Sequence, residues 1–354
     1  MEYILLTLLS AFISAWVLTK ITPVARRWGF VDQPCHKRHL HDNPIPLVGG
    51  LPLLFFAAIG WLFYSALSPI ETLSIIAAAL LLFVTGAMDD RKPIKPNYRF
   101  ASHILAASVL VVQLDLSINH LGLIYSQTPV ELGAWNTFFT VFAVVGLINA
   151  FNMIDGLNGL SSGLAIISMT FLAGFLPIDK QFLALILTAI LTFILFNLRL
   201  LGKSKQVFLG DSGSTLLGLI VAWFALEAFQ TNQTLTQLSP MGILMIIALP
   251  VIDTLAVMVR RAVTGYSVFV ADKKHLHHIL LLLHQNERMV LIWMLLLSIG
   301  FALLGRFQAQ IGISDTFLFN LFIITVIGHI WLLKLAHQVL VVRQQKKHKR
   351  PPQT

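Results

Sequence analysis

The sequence predicts an all-α, polytopic integral membrane protein with about eleven transmembrane helices. Three observations carry that prediction. Of the 354 residues, 56% are hydrophobic and only 12% are Asp, Glu, Lys or Arg, where a soluble domain carries about 25% charged residues. Mean hydropathy is +0.80. Apolar runs of about 20 residues, the length a helix needs to cross a bilayer, recur from one end of the chain to the other. This pattern excludes an ordinary soluble protein, a disordered chain and a nucleic-acid-binding arm. The net charge of +9 therefore bears on membrane orientation and not on nucleic acid. The single cysteine, Cys35, excludes a disulfide framework and a cysteine-based zinc site.

The apolar stretches fall near 3–22, 47–67, 71–88, 100–118, 134–152, 160–178, 181–200, 212–230, 241–260, 289–307 and 317–340. The first begins at Glu2, lacks a basic leader and is longer than a signal core, so it reads as a span and not as a cleavable signal. Eleven crossings put the two ends on opposite sides. Twenty-three of the 25 Lys and Arg residues then fall on the side of the C-terminus, leaving only Lys180 and Arg306 on the other. The positive-inside rule makes the rich side cytoplasmic, with the N-terminus periplasmic. No connection is long enough for a soluble domain, so residues 1–354 read as one transmembrane domain. Residues 341–354 form a basic cytoplasmic tail, whose QQKKHKR run suits anionic lipid. No internal repeat is visible, which weighs against a symmetric transporter.

The acids are more informative. Asp89, Asp90, Asp155, Asp211 and Asp253 all sit at cytoplasmic ends of apolar spans. A carboxylate there is costly unless it is paired, hydrated or metal-bound. Asp89 and Asp90 end the third span in TGAMDDRKPIKP. They read either as a pair that positions a metal or an acidic substrate, or as a hydrated helix end neutralised by Arg91 and Lys92. Two carboxylates at a helix C-terminus oppose the helix dipole, which favours function. In NAFNMIDGLNG, Asn149, Asn152 and Asp155 recur every three residues and share one helical face. A polar C-cap explains one of them but not all three.

Gly210-Asp211-Ser212-Gly213-Ser214 opens the eighth span. An ordinary N-cap is one reading. The other is a phosphate seat at a helix N-terminus, with Asp211 holding Mg²⁺ beside it. Asp253, in LPVIDTL, follows Pro250, which frees a backbone carbonyl and allows a hydrated notch. Arg260 and Arg261 follow two turns later, and an internal Asp–Arg pair between helices fits as well. His275, His277 and His278, in KKHLHHIL, make a poor structural zinc site without cysteines. They suit phosphate or sugar contacts, or a basic interfacial helix. The segment Asp32–Gly50, rich in Pro, Gly and His, reads as a loop that shapes the site or as a plain connector.

Together the DD pair, NxxNMIDGxxGL, GDSGS and HLHH, in this order, resemble the polyprenyl-phosphate N-acetylhexosamine-1-phosphate transferase family over about residues 32–280. The HLHH form resembles the bacterial branch that uses UDP-GlcNAc and undecaprenyl phosphate. The resemblance implies transfer of GlcNAc-1-phosphate to undecaprenyl phosphate with release of UMP, an early step of O-antigen and related surface-polymer synthesis. It implies a bacterial inner-membrane enzyme dependent on Mg²⁺, with Mn²⁺ as a substitute, and a homodimer.

Carried over residue by residue, Asp211 is the main Mg²⁺ ligand and Asn152 a second. Asp89, Asp90 and Asp155 are catalytic. Asn149, Arg99, Asp253, Arg261, His275, His277 and His278 bind substrate. The site is then assembled from segments 23–46, 89–99, 149–160, 200–214 and 253–288. Pro93 and Asn158 stand where relatives often carry Asp, so neither position serves as a carboxylate here. A transferase for another UDP-N-acetylhexosamine is the alternative within this chemistry. A cation-coupled transporter is the alternative outside it, and it would need carboxylates near the bilayer midplane.

Overall fold

The computed structural model describes residues 2–33, 44–176, 179–231, 238–263, 265, 275–284 and 286–348. Cys35 and most of the 32–50 loop, Lys273, Lys274 and the last residues of the basic tail lie outside the described residues.

The helices are α1 (Glu2–Trp28), α2 (Gly50–Tyr64), α3 (Pro69–Arg91), α4 (Pro96–Ser108), α5 (Asn136–Ile154), α6 (Leu160–Ala173), α7 (Lys180–Asn197), α8 (Gly210–Thr231), α9 (Pro240–Ile246), α10 (Ala248–Val263), α11 (Leu276–His284), α12 (Glu287–Phe307) and α13 (Asp315–His348). Departures from all-α among the described residues are a two-stranded antiparallel pair, β1 (Val31–Asp32) with β2 (Ile45–Pro46), and two isolated bridges, Leu47 with Phe208 and His120 with Glu131. Beside the pair, the Phe208 N–H donates to Pro46 O (2.8 Å) and the Gly49 N–H to Phe208 O (2.9 Å). The described end of the 32–50 loop is thereby held two residues from the start of α8.

Each of the eleven apolar stretches meets helix, but not as eleven uniform crossings. Among the described residues, seven helices are long and apolar enough to span a membrane, and one bent pair passes the same test jointly. The second and sixth stretches form only α2, of 15 residues, and α6, of 14, which at about 1.5 Å per residue fall short of a 30 Å core. The sixth is trimmed at both ends by glycine: Gly159 enters α6 at φ +79°, and Gly174 closes it. The fourth is α4 followed by a π turn at Val109–Gln113. The ninth is broken into α9 and α10, which meet at 83°. Pro250 explains the break, because its ring clashes with the carbonyl four residues back. That residue is Ile246, the last of α9. The Ser168 hydroxyl, 3.4 Å from Ile246 O, offers it a donor, as buried breaks within membranes require.

Helix α8 is the axis of the bundle. Nearly every one of its side chains is buried, whereas α1, α3, α12 and α13 bury a third or fewer of theirs and turn the rest outward. Lipid and protein interior are equally apolar, so packing depends on close approach. Gly86 and Gly218 supply it. A Cβ on Gly86 would lie 2.4 Å from the Ser212 backbone N, and one on Gly218 would lie 2.6 Å from Ile148 Cα. These two crossings fix α3 and α5 against α8. They bring the C-terminal ends of α3 and α5 beside the α8 N-terminus, where the sequence placed its acids.

Candidate active site

Asp90 lies at the end of α3 and faces the first turn of α8. Its carboxylate accepts from the Asp211 N–H (2.7 Å), the Ser212 N–H (3.2 Å) and the Ser212 hydroxyl (2.9 Å). It therefore caps α8 from another helix, satisfying donors that a helix N-terminus leaves free and matching its dipole. The phosphate seat expected at GDSGS is not open in this arrangement, because Asp90 takes those donors.

Asp89 turns the other way. One oxygen accepts from the Ile94 N–H (2.7 Å), and the other pairs with Arg99 Nη1 at 2.8 Å. Arg99, near the start of α4, reaches onward through Nη2 to Asn152 Oδ1 (2.7 Å) and lies 3.5 Å from Asp211 Oδ2. The Asn152 amide donates to Asp211 Oδ1 (2.8 Å) and to Ser214 Oγ (2.9 Å). Asp89 and Asp211 also come within hydrogen-bonding reach of each other. The guanidinium thus ties together acids from α3 and α8 and the amide stripe of α5. Asn149, one turn back, donates to Val145 O (2.7 Å) and sits 3.2 Å from His103 Nδ1.

Asp155 follows the last residue of α5. Among the described residues its carboxylate has no hydrogen-bond or ion-pair partner. Burial pushes its pKa up to about 8, and the negative charges of Asp211 and Asp90 add to that push.

A second cluster lies across from the first. Asp253 is fully buried in α10. Its oxygens take His275 Nδ1 (2.8 Å) and the Leu276 N–H (2.8 Å), and His329 Nε2 of α13 lies 3.1 Å away. Asp253 caps α11 as Asp90 caps α8. The expected substrate contact at Asp253 gives way to this arrangement: the carboxylate stands behind the His segment and does not line the cavity. His277 is buried against Gly156, where a Cβ would lie 2.3 Å from its Nε2, and among the described residues neither ring nitrogen has a hydrogen-bond partner. Burial, with His278 4.1 Å away, pushes its pKa down to about 3, so the ring is neutral. A neutral ring offers the expected phosphate or sugar contact a donor and an acceptor and no charge.

Both clusters open onto one cavity of about 1100 Å³, lined by Arg99, Asn149, Asn152, Asp155 and Asp211 on one side and by Arg261, His275, His277 and His278 on the other. From this polar end it runs between α5, α8 and the bent α9–α10 pair to Phe229 and Pro240. Eighteen helical residues separate Asp211 from Phe229, about 27 Å along the axis. The rest of the wall is overwhelmingly aliphatic and aromatic, including Phe138, Phe142, Val145 and Leu244.

The donors facing the cavity beside Asp211 are hard oxygens, the set that suits Mg²⁺ and not zinc. When both are ionised, Asp155 and Asp211 repel, which a cation beside them would relieve. No three His, Cys, Asp or Glu side chains converge at ligand distance among the described residues. Mg²⁺ is nonetheless commonly held by one or two carboxylates plus substrate phosphates. Sequence reading overlooked His103, Ser212, Ser214 and His329. His329 carried a signal, as an ionisable group within an apolar span. The two serines carried none, because an N-cap run is rich in serine whatever it holds.

Long apolar helices enclosing a cavity whose polar end gathers Arg, Asn, Asp and His define a membrane-embedded enzyme. The chain belongs to glycosyl transferase family 4, whose model matches residues 72–229. It is 40% identical over 291 residues to an undecaprenyl-phosphate alpha-N-acetylglucosaminyl 1-phosphate transferase of Salmonella typhi, covering 78% of this chain and 77% of the relative. It is 36% identical over 322 residues to the protein of the same name in Escherichia coli (strain K12), covering 87% and 84%. A probable undecaprenyl-phosphate N-acetylglucosaminyl 1-phosphate transferase of Bacillus subtilis (strain 168) is 28% identical over 317 residues, covering 87% and 85%.

Proposed function

We propose that the chain transfers GlcNAc-1-phosphate from UDP-GlcNAc to undecaprenyl phosphate, giving undecaprenyl-diphospho-GlcNAc and UMP. The observation that carries this reading is the single cavity that joins a cluster of carboxylates, Asn and Arg to an apolar channel of membrane depth. An acceptor with a long hydrocarbon tail and a phosphate head has that shape. The names of the relatives support the substrates.

The acceptor phosphate, a monoester with a second pKa near about 6, is mostly a dianion at neutral pH and needs little help from a base. One of its oxygens attacks the sugar-bearing phosphorus of UDP-GlcNAc. The bond from that phosphorus to the bridging oxygen breaks, and the bridging oxygen leaves with UMP. Two anions must therefore meet, and charge must be stabilised on the leaving oxygen. Arg99 supplies positive charge beside Asp211, and Arg261 lies across the cavity from it. Asp89 orients Arg99, Asp90 holds the first turn of α8 and so the backbone of Asp211, and Asp155 faces the same space. The His275–His278 segment lines the nucleotide-sugar side, and Asn149 of α5 faces it from the opposite wall. Mg²⁺, with Mn²⁺ as a substitute, belongs to this proposal; Asp211 would hold it, Asn152 would join once its amide turns Oδ1 away from Arg99, and the ion would supply charge neutralisation for the diphosphate.

Asp89, Asp90, Asp155 and Asp211 stand at helix ends, and of the five acids only Asp253, which caps α11, lies within a helix, which disfavours the transporter reading. A cytoplasmic C-terminus, a periplasmic N-terminus and an inner-membrane location are supported by the distribution of Lys and Arg. Product use in O-antigen or related polymers, and homodimerisation, rest on the family resemblance alone. The test is a detergent assay of the purified protein with Mg²⁺ and a panel of radiolabelled UDP-sugars, with and without undecaprenyl phosphate. The expected result is label in lipid from UDP-GlcNAc, only when the acceptor is present. Preference for another UDP-N-acetylhexosamine would replace the donor, and no acceptor-dependent labelling would refute the proposal.

A further inference from the structure

Within the apolar helix α13, His329 is almost fully buried. An ionisable ring at such a place is costly unless it has a partner. Its Nε2 lies 3.1 Å from Asp253 Oδ1, within ion-pair range though off the line of an ideal hydrogen bond. Asp253 also takes His275 Nδ1 and the Leu276 N–H, both at 2.8 Å. One carboxylate therefore joins three segments remote in sequence: the middle of α10, the start of α11 and the last span. The surrounding packing repeats the same junction. Leu333, one turn beyond His329 on the same face of α13, packs with Ala256 and Val257 of α10 and Ile279 of α11. On the far side of Asp253, His275 stacks nearly parallel to His277, with ring centres 5.8 Å apart and planes 11° apart. Both rings line the cavity, whereas Asp253 does not.

We propose that His329 is a positioning residue for the His275–His278 segment, acting from the last span through Asp253. The inference rests on the transferase reading, in which that segment lines the nucleotide-sugar side. His275 holds Oδ2 and the Leu276 N–H holds Oδ1, so both hydrogen bonds to the carboxylate come from the one segment it positions, and that unit can shift as a whole. His329, 3.1 Å from Oδ1, is the contact from outside the segment and ties it to the last span. Loss of that contact loosens the nucleotide-sugar wall and leaves the opposite wall, built from α3, α4, α5 and α8, in place.

The test compares wild-type full-length protein with H329L and H329Q in the detergent assay, measuring KM for each substrate. Gln carries an amide nitrogen about as far from the backbone as imidazole Nε2, and Leu carries none. H329L is expected to raise KM for UDP-GlcNAc by up to about tenfold, the size of one lost polar contact to a buried carboxylate. KM for undecaprenyl phosphate should stay unchanged, and H329Q should restore most of the loss. A general packing role would instead lower the yield of active enzyme for both variants without separating the two KM values. Wild-type KM values in H329L, a parallel rise in both, or no difference between Gln and Leu would each overturn the role. If H329L does not purify as a monodisperse species, H329N, whose amide falls short of Asp253, takes its place under the same criteria. A wild-type protein that transfers nothing would overturn the transferase reading and this inference together. A transferring wild type beside unaltered variants would overturn this inference alone.

Discussion

Replacing Asp90 with Asn tests the division of labour between the adjacent aspartates. The carboxylate accepts three hydrogen bonds from the first turn of α8. Asn keeps one acceptor oxygen, which can serve the Asp211 N–H, but it turns an NH₂ group toward the Ser212 N–H. Ser212 is 2% exposed, so its amide finds no water in exchange. A buried donor left without a partner costs about 1–3 kcal/mol, and the lost charge at a helix N-terminus adds roughly 0.5 kcal/mol. The sum is about 1.5–3.5 kcal/mol, or roughly 10- to 400-fold if it falls entirely on the reacting geometry. Misplacement of a reacting group by about 1 Å carries a penalty of the same order. D90N should therefore lower the thermal midpoint in detergent and lower kcat within that range, while KM for UDP-GlcNAc changes little. Loss of turnover with an unchanged thermal midpoint would refute the clamp and assign Asp90 to the chemistry itself. A pure rise in KM would refute both roles.

Three further outcomes follow from the same geometry. G156A places a Cβ 2.3 Å from His277 Nε2, so the ring must move; KM for UDP-GlcNAc should rise several-fold while that for undecaprenyl phosphate holds, and parallel changes would contradict the placement of His277. R99K keeps the charge but loses the fork that reaches both Asp89 and Asn152, so kcat/KM should fall at least about tenfold; activity near wild type would show that a point charge suffices. At pH 9, above the value of about 8 to which burial pushes Asp155, Asp155 and Asp211 repel in metal-free protein. D155N should then raise the thermal midpoint in EDTA and shrink the increase that Mg²⁺ gives the wild type. An unchanged Mg²⁺ effect in D155N would separate Asp155 from the metal.

The membrane architecture was legible because a bilayer demands long apolar helices, and hydropathy reports those directly. The lengths of α2 and α6 were less legible, since an apolar run does not show where a glycine ends the helix. Pro250 announced a disturbance, but the 83° turn depends on what receives the freed Ile246 carbonyl, and Ser168 lies 78 residues away. The five acids at the span ends were visible as a group, yet their division was not. Asp90 and Asp253 cap other helices, while Asp155 and Asp211 face the cavity. That sorting is decided by partners remote in sequence, 121 residues away for Asp90 and 22 for Asp253. The three-residue spacing of Asn149, Asn152 and Asp155 was informative because a helix converts spacing into a face without any remote partner.

The central claim is that Asp211, at the polar end of the apolar cavity, organises transfer of a sugar phosphate to a lipid phosphate. The most direct measurement is radiolabelled GlcNAc-1-phosphate transfer from UDP-GlcNAc to undecaprenyl phosphate in detergent with Mg²⁺, comparing wild type with D211N at equal amounts of monodisperse protein. The account predicts acceptor-dependent labelling by the wild type and none above background by D211N. Near-normal labelling by D211N would contradict it.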